Sequence, residues 1–396
     1  LVEVCPRLAV LVIAVFLSAT VHSDGPGRAV TRGAEQTGAQ SDERPLRTGF
    51  IEVQGPDLRA RFEAAIDRGR SDQAGKPFWV AYSFPVRPGI RIDCCDRCEG
   101  VIEGTGLSST TEPETRDVGI FFLCSPRSES IERAQVYNLQ RRHDFEGHAV
   151  LWAGKADAQE TIANLRGLID SNQTDEVYGN CVTGLGILDG AGTEQTLKDL
   201  TVPRYRKSIR SSSVFWVGRF AESAAFLDAF ARDAANGLEL RKQAVFSMGS
   251  GVDESALGLL QRLYDSADPT ELKKQVIFAV SINKQSDQAL GFLINLARNE
   301  PELELRKQAI FWLGQKAGER SLQALGDIVD GSDEDIEVQK QAVFAISQRP
   351  KDEAIPILIR VAKTHHRAEV RKNAIFWLGQ IGDQRAVDLF EEILEK

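Results

Sequence analysis

The chain has 396 residues, of which 42% are hydrophobic and 27% charged, the proportions of an ordinary globular protein with room for two or more cores. Its 48 Lys and Arg against 57 Asp and Glu give a net charge of −9. That balance argues against a nucleic-acid-binding surface, because neutralising phosphates needs concentrated Lys and Arg.

In chain order, residues 1–23 read as a secretory signal. Arg7 precedes an apolar run from Leu8 to Ala19, and Val21, His22 and Ser23 offer a cleavage site before Asp24. The rival reading is an uncleaved N-terminal anchor. No later segment is long and apolar enough to span a bilayer. The expected location is therefore secreted or periplasmic, with no membrane contact beyond the signal segment. Residues 24–46 are rich in Gly, Arg, Thr, Gln and Ser, a composition that cannot bury a core and predicts a disordered linker.

Residues 47–156 predict a small α+β domain. Leu58, Phe62, Ala65 and Ile66 recur at helical spacing over Pro56–Gly69. β-rich runs follow at Phe78–Tyr82, Val118–Leu123, Ile131–Leu139 and Ala149–Trp152, separated by Gly, Pro, Ser and Thr clusters. A helix then starts at Asp157, where Asp157 and Glu160 have capping-box spacing and Ile162, Leu165, Leu168 and Ile169 supply an apolar stripe. Its place suggests a cap over the first exposed end of what comes next.

From 157 to 396 the sequence repeats itself. With Phe as position zero in Arg241–Gly249, the same frame returns at Phe278, Phe311, Phe344 and Phe376, and more loosely at Phe215. Successive steps are 31, 32, 33, 33 and 32 residues, and a seventh copy lies 32 residues earlier with Thr183 at zero. Positions −6, −2, −1 and +2 are apolar, for example Val370, Ala374, Ile375 and Leu378, and they share one helix face. Gly218, Gly249, Gly314 and Gly379 at +3 are expected to end each helix in a left-handed conformation. A polar turn and a second apolar-striped helix complete each unit, which cannot bury its own face without its neighbours.

The stretches Leu305–Gly314 (LRKQAIFWLG) and Val370–Gly379 (VRKNAIFWLG) resemble HEAT repeats of the bacterial phycobilisome-lyase type. A weaker resemblance to secreted bacterial proteins of this class reaches into Phe78–Ile169. The resemblance implies a mainly α protein, a HEAT-like α-solenoid of about seven two-helix repeats behind a small α+β domain. The family's common thread is binding to other proteins, so an unidentified protein partner is expected and no cofactor.

One feature departs from a bland repeat. Phe215, Phe246, Phe278, Phe311, Phe344 and Phe376 lie opposite the apolar stripe, with Trp216, Trp312 and Trp377 beside them. Lys242, Lys274, Lys307, Lys340 and Lys372 precede the Phe residues by four. Either the rings pack between repeats under the Lys stems, with cation–π contact, or they form an aromatic patch that docks a partner. Arg210, Arg241, Arg306 and Arg371 at −5 point toward the core side and are expected to bridge a turn or a carboxylate.

Cys94, Cys95 and Cys98 cluster, with Cys124 further on. Outside the cytoplasm a disulfide is the default, and Cys94 or Cys95 to Cys124 is the expected link. A metal site from Cys95, Cys98 and Cys124 with His143 or His148 is the alternative. Cys181 falls in a core slot as a free thiol, and His365 with His366 reads as a solvated turn. No nucleophile elbow or phosphate loop is present. The leading expectation is an interaction scaffold, not an enzyme. The alternative is a bilin lyase-like or thiol-redox enzyme supported on the solenoid.

Overall fold

A computed structural model describes residues 49–73, 75–92, 101–103, 115–126, 130–141, 143–171, 173–331 and 335–395. The predicted signal, the predicted linker, and Cys94, Cys95 and Cys98 lie outside the described residues. The chain divides into two compact units, Leu1–Ser213 and Val214–Lys396.

The first unit is built on a sheet. Its strands are β1 (Ile51–Glu52), β2 (Phe78–Phe84), β3 (Ile90–Ile92), β4 (Val101–Glu103), β5 (Val118–Cys124), β6 (Ile131–Asn138) and β7 (Val150–Lys155). Helix α1 (Leu58–Asp72) lies between β1 and β2 in sequence, and α2 (Ala158–Asp170), α3 (Asp175–Ile187) and α4 (Thr193–Asp199) follow β7. The main sheet has the order β1-β7-β2-β5-β6. β7 is parallel to β1 and β2, whereas β5 is antiparallel to β2 and β6. β3 and β4 form a separate antiparallel pair.

Every residue of β2 and β5 is buried, which is why both read as unbroken apolar runs. On one face the α1 ring of Phe62 meets Tyr82 and Phe122 edge-on, with centroids 6.2 and 5.4 Å away. The other face holds Trp79, Phe121 and Trp152, with half-buried Phe50, Tyr137 and Phe145 packed on them. Asp57 caps α1 by accepting the Ala60 N–H, and Gly69 lies flat against the Phe78 ring, with no space for a Cβ. The predicted capping box at Asp157 and Glu160 is formed in both directions. Four strands and two helices thus match the sequence pattern. β1, β3 and β4 went unpredicted, being too short to show a period.

Helix α5 (Lys207–Val217) runs into the second unit. There follow α6 (Ala224–Arg232), α7 (Gly237–Ser250), α8 (Ala256–Ser266), α9 (Thr270–Ile282), α10 (Ser286–Asn299), α11 (Leu303–Gly314) and α12 (Glu319–Asp330). α13 (Ile336–Ser347), α14 (Lys351–Thr364), α15 (Ala368–Ile381) and α16 (Gln384–Leu394) complete it. The odd-numbered helices α7 to α15 carry the Phe frame, and the even-numbered ones return the chain. Leu305, Ala309, Ile310 and Leu313 in α11, or Val370, Ala374 and Leu378 in α15, are the buried stripe that the periodicity predicted. No helix among the described residues is long and apolar enough to cross a membrane.

The Gly at +3 does not end these helices in a left-handed conformation. None of Gly218, Gly249, Gly314 and Gly379 has positive φ; Gly382 supplies the left-handed cap of α15 instead. The reason for Gly is close approach. A Cβ on Gly249 would lie 2.6 Å from Ala279 Cα and 2.7 Å from its Cβ. One on Gly218 would lie 2.7 Å from the Ser247 carbonyl oxygen, and one on Gly314 would lie 2.8 Å from Ala345 Cβ. At each of these places the next helix carries Ser or Ala one residue after its Phe.

Turns between helices are held by the −5 side chains, as expected. Arg241 donates to the carbonyls of Ala231 (2.7 Å) and Asp268 (2.9 Å), and Arg371 to that of His365 (2.7 Å). Gln339 takes the same role toward Val329 (2.7 Å) and Gly331 (2.8 Å).

Candidate interaction surface

The ladder residues of the second unit come together as one chain of rings. Phe215 stacks on Phe246 at 6.5 Å, and Phe246 on Phe278 at 6.1 Å, both with planes 14° apart. Phe311 stacks on Phe344 at 6.4 Å and 14°. At the remaining two steps a Trp intervenes. Phe278 meets Trp312 at 4.9 Å and Phe344 meets Trp377 at 4.8 Å, tilted by 40° and 46°. Trp312 and Trp377 then meet the Phe of their own helix at 5.0 and 5.1 Å.

The repeat interfaces therefore come in two kinds. Where +1 is Ser247, Ala279 or Ala345, the preceding helix has Gly at +3 and the two Phe rings stack in parallel. Where +1 is Trp312 or Trp377, the preceding helix has Ser281 or Ser347, and the indole meets the preceding Phe ring. Both serines turn their hydroxyls back onto their own helix, donating to Phe278 and Phe344 carbonyls at 2.7 Å.

Phe246, Phe278, Phe311 and Phe344 are half-buried, so one edge of each ring packs between repeats and the other reaches the surface. Phe376 is 54% exposed, and Trp216 is buried. The glue and the surface patch are thus the same side chains.

The Lys row does something other than expected. Lys242, Lys307 and Lys340 pair with Glu239 (3.3 Å), Glu304 (3.3 Å) and Glu337 (2.9 Å), three residues earlier on their own helices. A carboxylate one turn back offers a full opposite charge, which outweighs the quadrupole of a ring. The cation over the first ring is Arg219, 4.4 Å from the Phe215 centroid. Sequence reading missed two rows. Glu239, Glu271, Glu304, Glu337 and Glu369 stand at −7, and Gln243, Gln275, Gln308, Gln341 and Asn373 at −3. The same steps of 32 and 33 residues would have found them.

Cys124 is buried and free, its thiol donating to the Phe122 carbonyl oxygen at 3.7 Å. The expected link to Cys94 or Cys95 is therefore not formed, because Cys124 faces into the sheet core. Burial pushes its thiol up to about 12. Cys181 is the buried free thiol predicted, also pushed up by burial. His143 stacks on Tyr137 at 4.1 Å, and no group of three metal-ligating side chains occurs among the described residues. His365 is not solvated: it is buried, with Nε2 2.9 Å from the Val329 carbonyl and Nδ1 accepting the Arg367 N–H at 3.1 Å. His366 is exposed.

Two polar hollows lie in the first unit. One of about 230 Å³ is lined by Arg61, Trp152 and Lys155 among others, and one of about 410 Å³ by Ser83, Arg116 and Asp117 among others. Neither contains Cys or His, so neither brings the Cys or His of a nucleophile–base pair together.

Residues 322–396 match the family model for HEAT repeats. No curated protein matches the chain. Among solved structures, human deoxyhypusine hydroxylase in complex with glycerol is similar at 18% identity and a TM-score of 0.30, over 59% of this chain and 89% of that one. At that score the likeness carries no argument about this chain.

Proposed function

We propose that the HEAT repeats of this chain are a protein-interaction module, a stack of seven copies of the phycobilisome-lyase type whose ladder face docks a partner. The single observation behind this reading is the half-exposed chain of rings from Phe246 to Trp377, bordered by regular polar rows. Aromatic side chains that combine a buried edge with an exposed one are rigid, and they desolvate readily when a partner covers them. The apolar run of Leu8–Ala19 supports a secreted or periplasmic setting, which N-terminal sequencing of the exported protein would test.

The docking test uses side chains whose loss leaves the stack intact. Cross-linking and pull-down from envelope extract with the wild-type chain are expected to recover a partner that Phe376→Ser and Lys340→Glu variants lose. Equal recovery by both variants, with unchanged circular dichroism, would mean the ladder serves packing alone.

A further inference from the structure

We propose that the helical stack of the second unit bends at two of its interfaces, α9–α11 and α13–α15, and stays rigid at the others. These are the steps at which Trp312 and Trp377 meet the Phe of the preceding repeat. They part the stack into three blocks, ending at α10, α14 and α16. Every parallel Phe pair falls inside a block: Phe215 with Phe246, Phe246 with Phe278, and Phe311 with Phe344. The inference concerns how the stack moves, and it stands whatever docks on the ladder face.

The steps with Gly at +3 are locked in two ways. Their helices interlock backbone on backbone. A Cβ on Gly249 would lie 2.4 Å from the Ala279 carbonyl oxygen, and one on Gly314 would lie 3.1 Å from that of Ala345. Surfaces in such contact cannot roll on each other without losing it. In addition, the turn from first to second helix is tied across each of these steps by hydrogen bonds that use the backbone. Buried Arg219 donates to the Ser250 carbonyl at 2.9 Å, and Asp253 accepts the Ala224 N–H at 2.9 Å. Gln285 donates to the Glu254 carbonyl at 2.6 Å, and buried Arg349 donates to the carbonyls of Lys316 and Gly318.

The Trp steps are held more loosely at the same edge. Their central contact is an indole on a Phe ring, and dispersion between rings has little directional preference, so the rings can slide. Ser281 and Ser347 donate within their own helices. The Nε1 atoms of Trp312 and Trp377 are both buried with no hydrogen-bond partner among the described residues. At the turns, the polar tie among the described residues is a single ion pair per step, Arg320 with Asp287 at 3.7 Å and Arg385 with Asp352 at 3.1 Å. The two carboxylates are 93% and 95% exposed, and pairs in that setting contribute little. Opening this edge breaks one weak pair and gives water access to an indole N–H that had no bond, which offsets part of the lost contact. The same opening at a Gly step would break backbone hydrogen bonds. The opposite edge of the α13–α15 step stays tied, His365 Nε2 donating to the Val329 carbonyl at 2.9 Å and Arg367 to Gln339 at 3.0 Å. That step therefore opens about its tied edge as a hinge.

The test is double electron–electron resonance on the full chain, with nitroxides attached to a ketone-bearing non-natural residue so that the native cysteines stay untouched. Glu222, Lys284, Gln315, Gln348 and Gln380 are exposed sites at successive turns. The pair Glu222–Lys284 spans two Gly steps, whereas Lys284–Gln348 and Gln315–Gln380 each span one Gly step and one Trp step. At about 8–10 Å per packed helix, each pair stands roughly 20 Å apart, within reach of the method. The two pairs that cross a Trp step should give distance distributions about twofold broader than Glu222–Lys284. Asp287→Arg, which turns one ion pair into a repulsion, should broaden Lys284–Gln348 alone, and Asp352→Arg should broaden Gln315–Gln380 alone. Both substitutions lie at exposed side chains, so unchanged circular dichroism is expected of each. Equal widths for all three wild-type pairs would overturn the proposal. So would a Glu222–Lys284 distribution as broad as the others after either charge reversal.

Discussion

Cys124 and Cys181 decide part of the chemistry of this chain through burial. Each sits in a packed interior, so ionising it would strand a thiolate away from water; burial pushes both thiols upward, Cys124 to about 12 despite the charge of Arg70 nearby. At pH 8 the reactive thiolate form is negligible. Brief alkylation of the native chain should leave the peptides bearing Cys124 and Cys181 unmodified by mass spectrometry, and denaturant should expose both. Labelling of native Cys124 would contradict its place in the sheet. Asp383 shows the opposite shift. The Arg385 guanidinium and backbone N–H both donate to its carboxylate and hold it down to about 2. A depressed carboxyl stabilises the fold above its ordinary value near 4 and loses that contribution as pH falls toward 2. Hydrogen exchange in α16 should therefore accelerate between pH 4 and pH 2 in the wild type, beyond the intrinsic trend. The increase should be smaller in Asp383→Asn, which caps comparably but has no carboxylate to protonate.

Helix packing explains why one residue type has two meanings at one repeat position. Gly249 has the Ala279 backbone where its Cβ would be, so Gly249→Ala must push two helices apart, at a cost of about 1–3 kcal/mol. Gly379 occupies the same frame position, but only the Phe390 ring edge comes within 4 Å, at 3.9 Å. Gly379→Ala should instead stabilise by roughly 0.5–1 kcal/mol through helix propensity. Urea melts of the two variants should move in opposite directions; a loss in both would make helix ending, not close approach, the reason for these glycines. The sequence made the Phe period and the apolar stripe legible because each copy repeats them. It could not separate Gly as a terminator from Gly as a contact, since the deciding neighbour, Ala279, lies 30 residues further on. Lys242 was likewise ambiguous: Phe246 and Glu239 are both within a turn, and only geometry shows the ammonium at Glu239. The amide row escaped notice because polar positions on an outer face read as solvation. Cys124 was misread because a free core thiol and a disulfide partner look alike in a β-rich run.

In the second unit each helix pair stabilises only its neighbours, so protection should grade along the stack. Phe311 has Trp312 on one side and Phe344 on the other, and Gly314 is pressed against Ala345. The last pair lacks such a second interface among the described residues. The Phe376 ring meets Trp377 of its own helix, and Val387, Ile393 and Leu394 of α16 are exposed with it. Losing one of two stacking interfaces removes a share of the buried apolar area that no local propensity replaces. Hydrogen exchange of the 1–396 chain should thus be slowest in α9 to α13, faster in α15 and fastest in α16. Phe311→Ala should speed exchange in α13 as well as α11, because its ring stacks on Phe344, and Trp312→Ala should speed it in α9, because the indole meets Phe278, whereas Phe376→Ala should change α15 alone. Protection in α15 and α16 equal to that of α11, and rising with protein concentration, would instead reveal a second copy covering the exposed rings. Equal protection at every concentration would overturn the nearest-neighbour account itself.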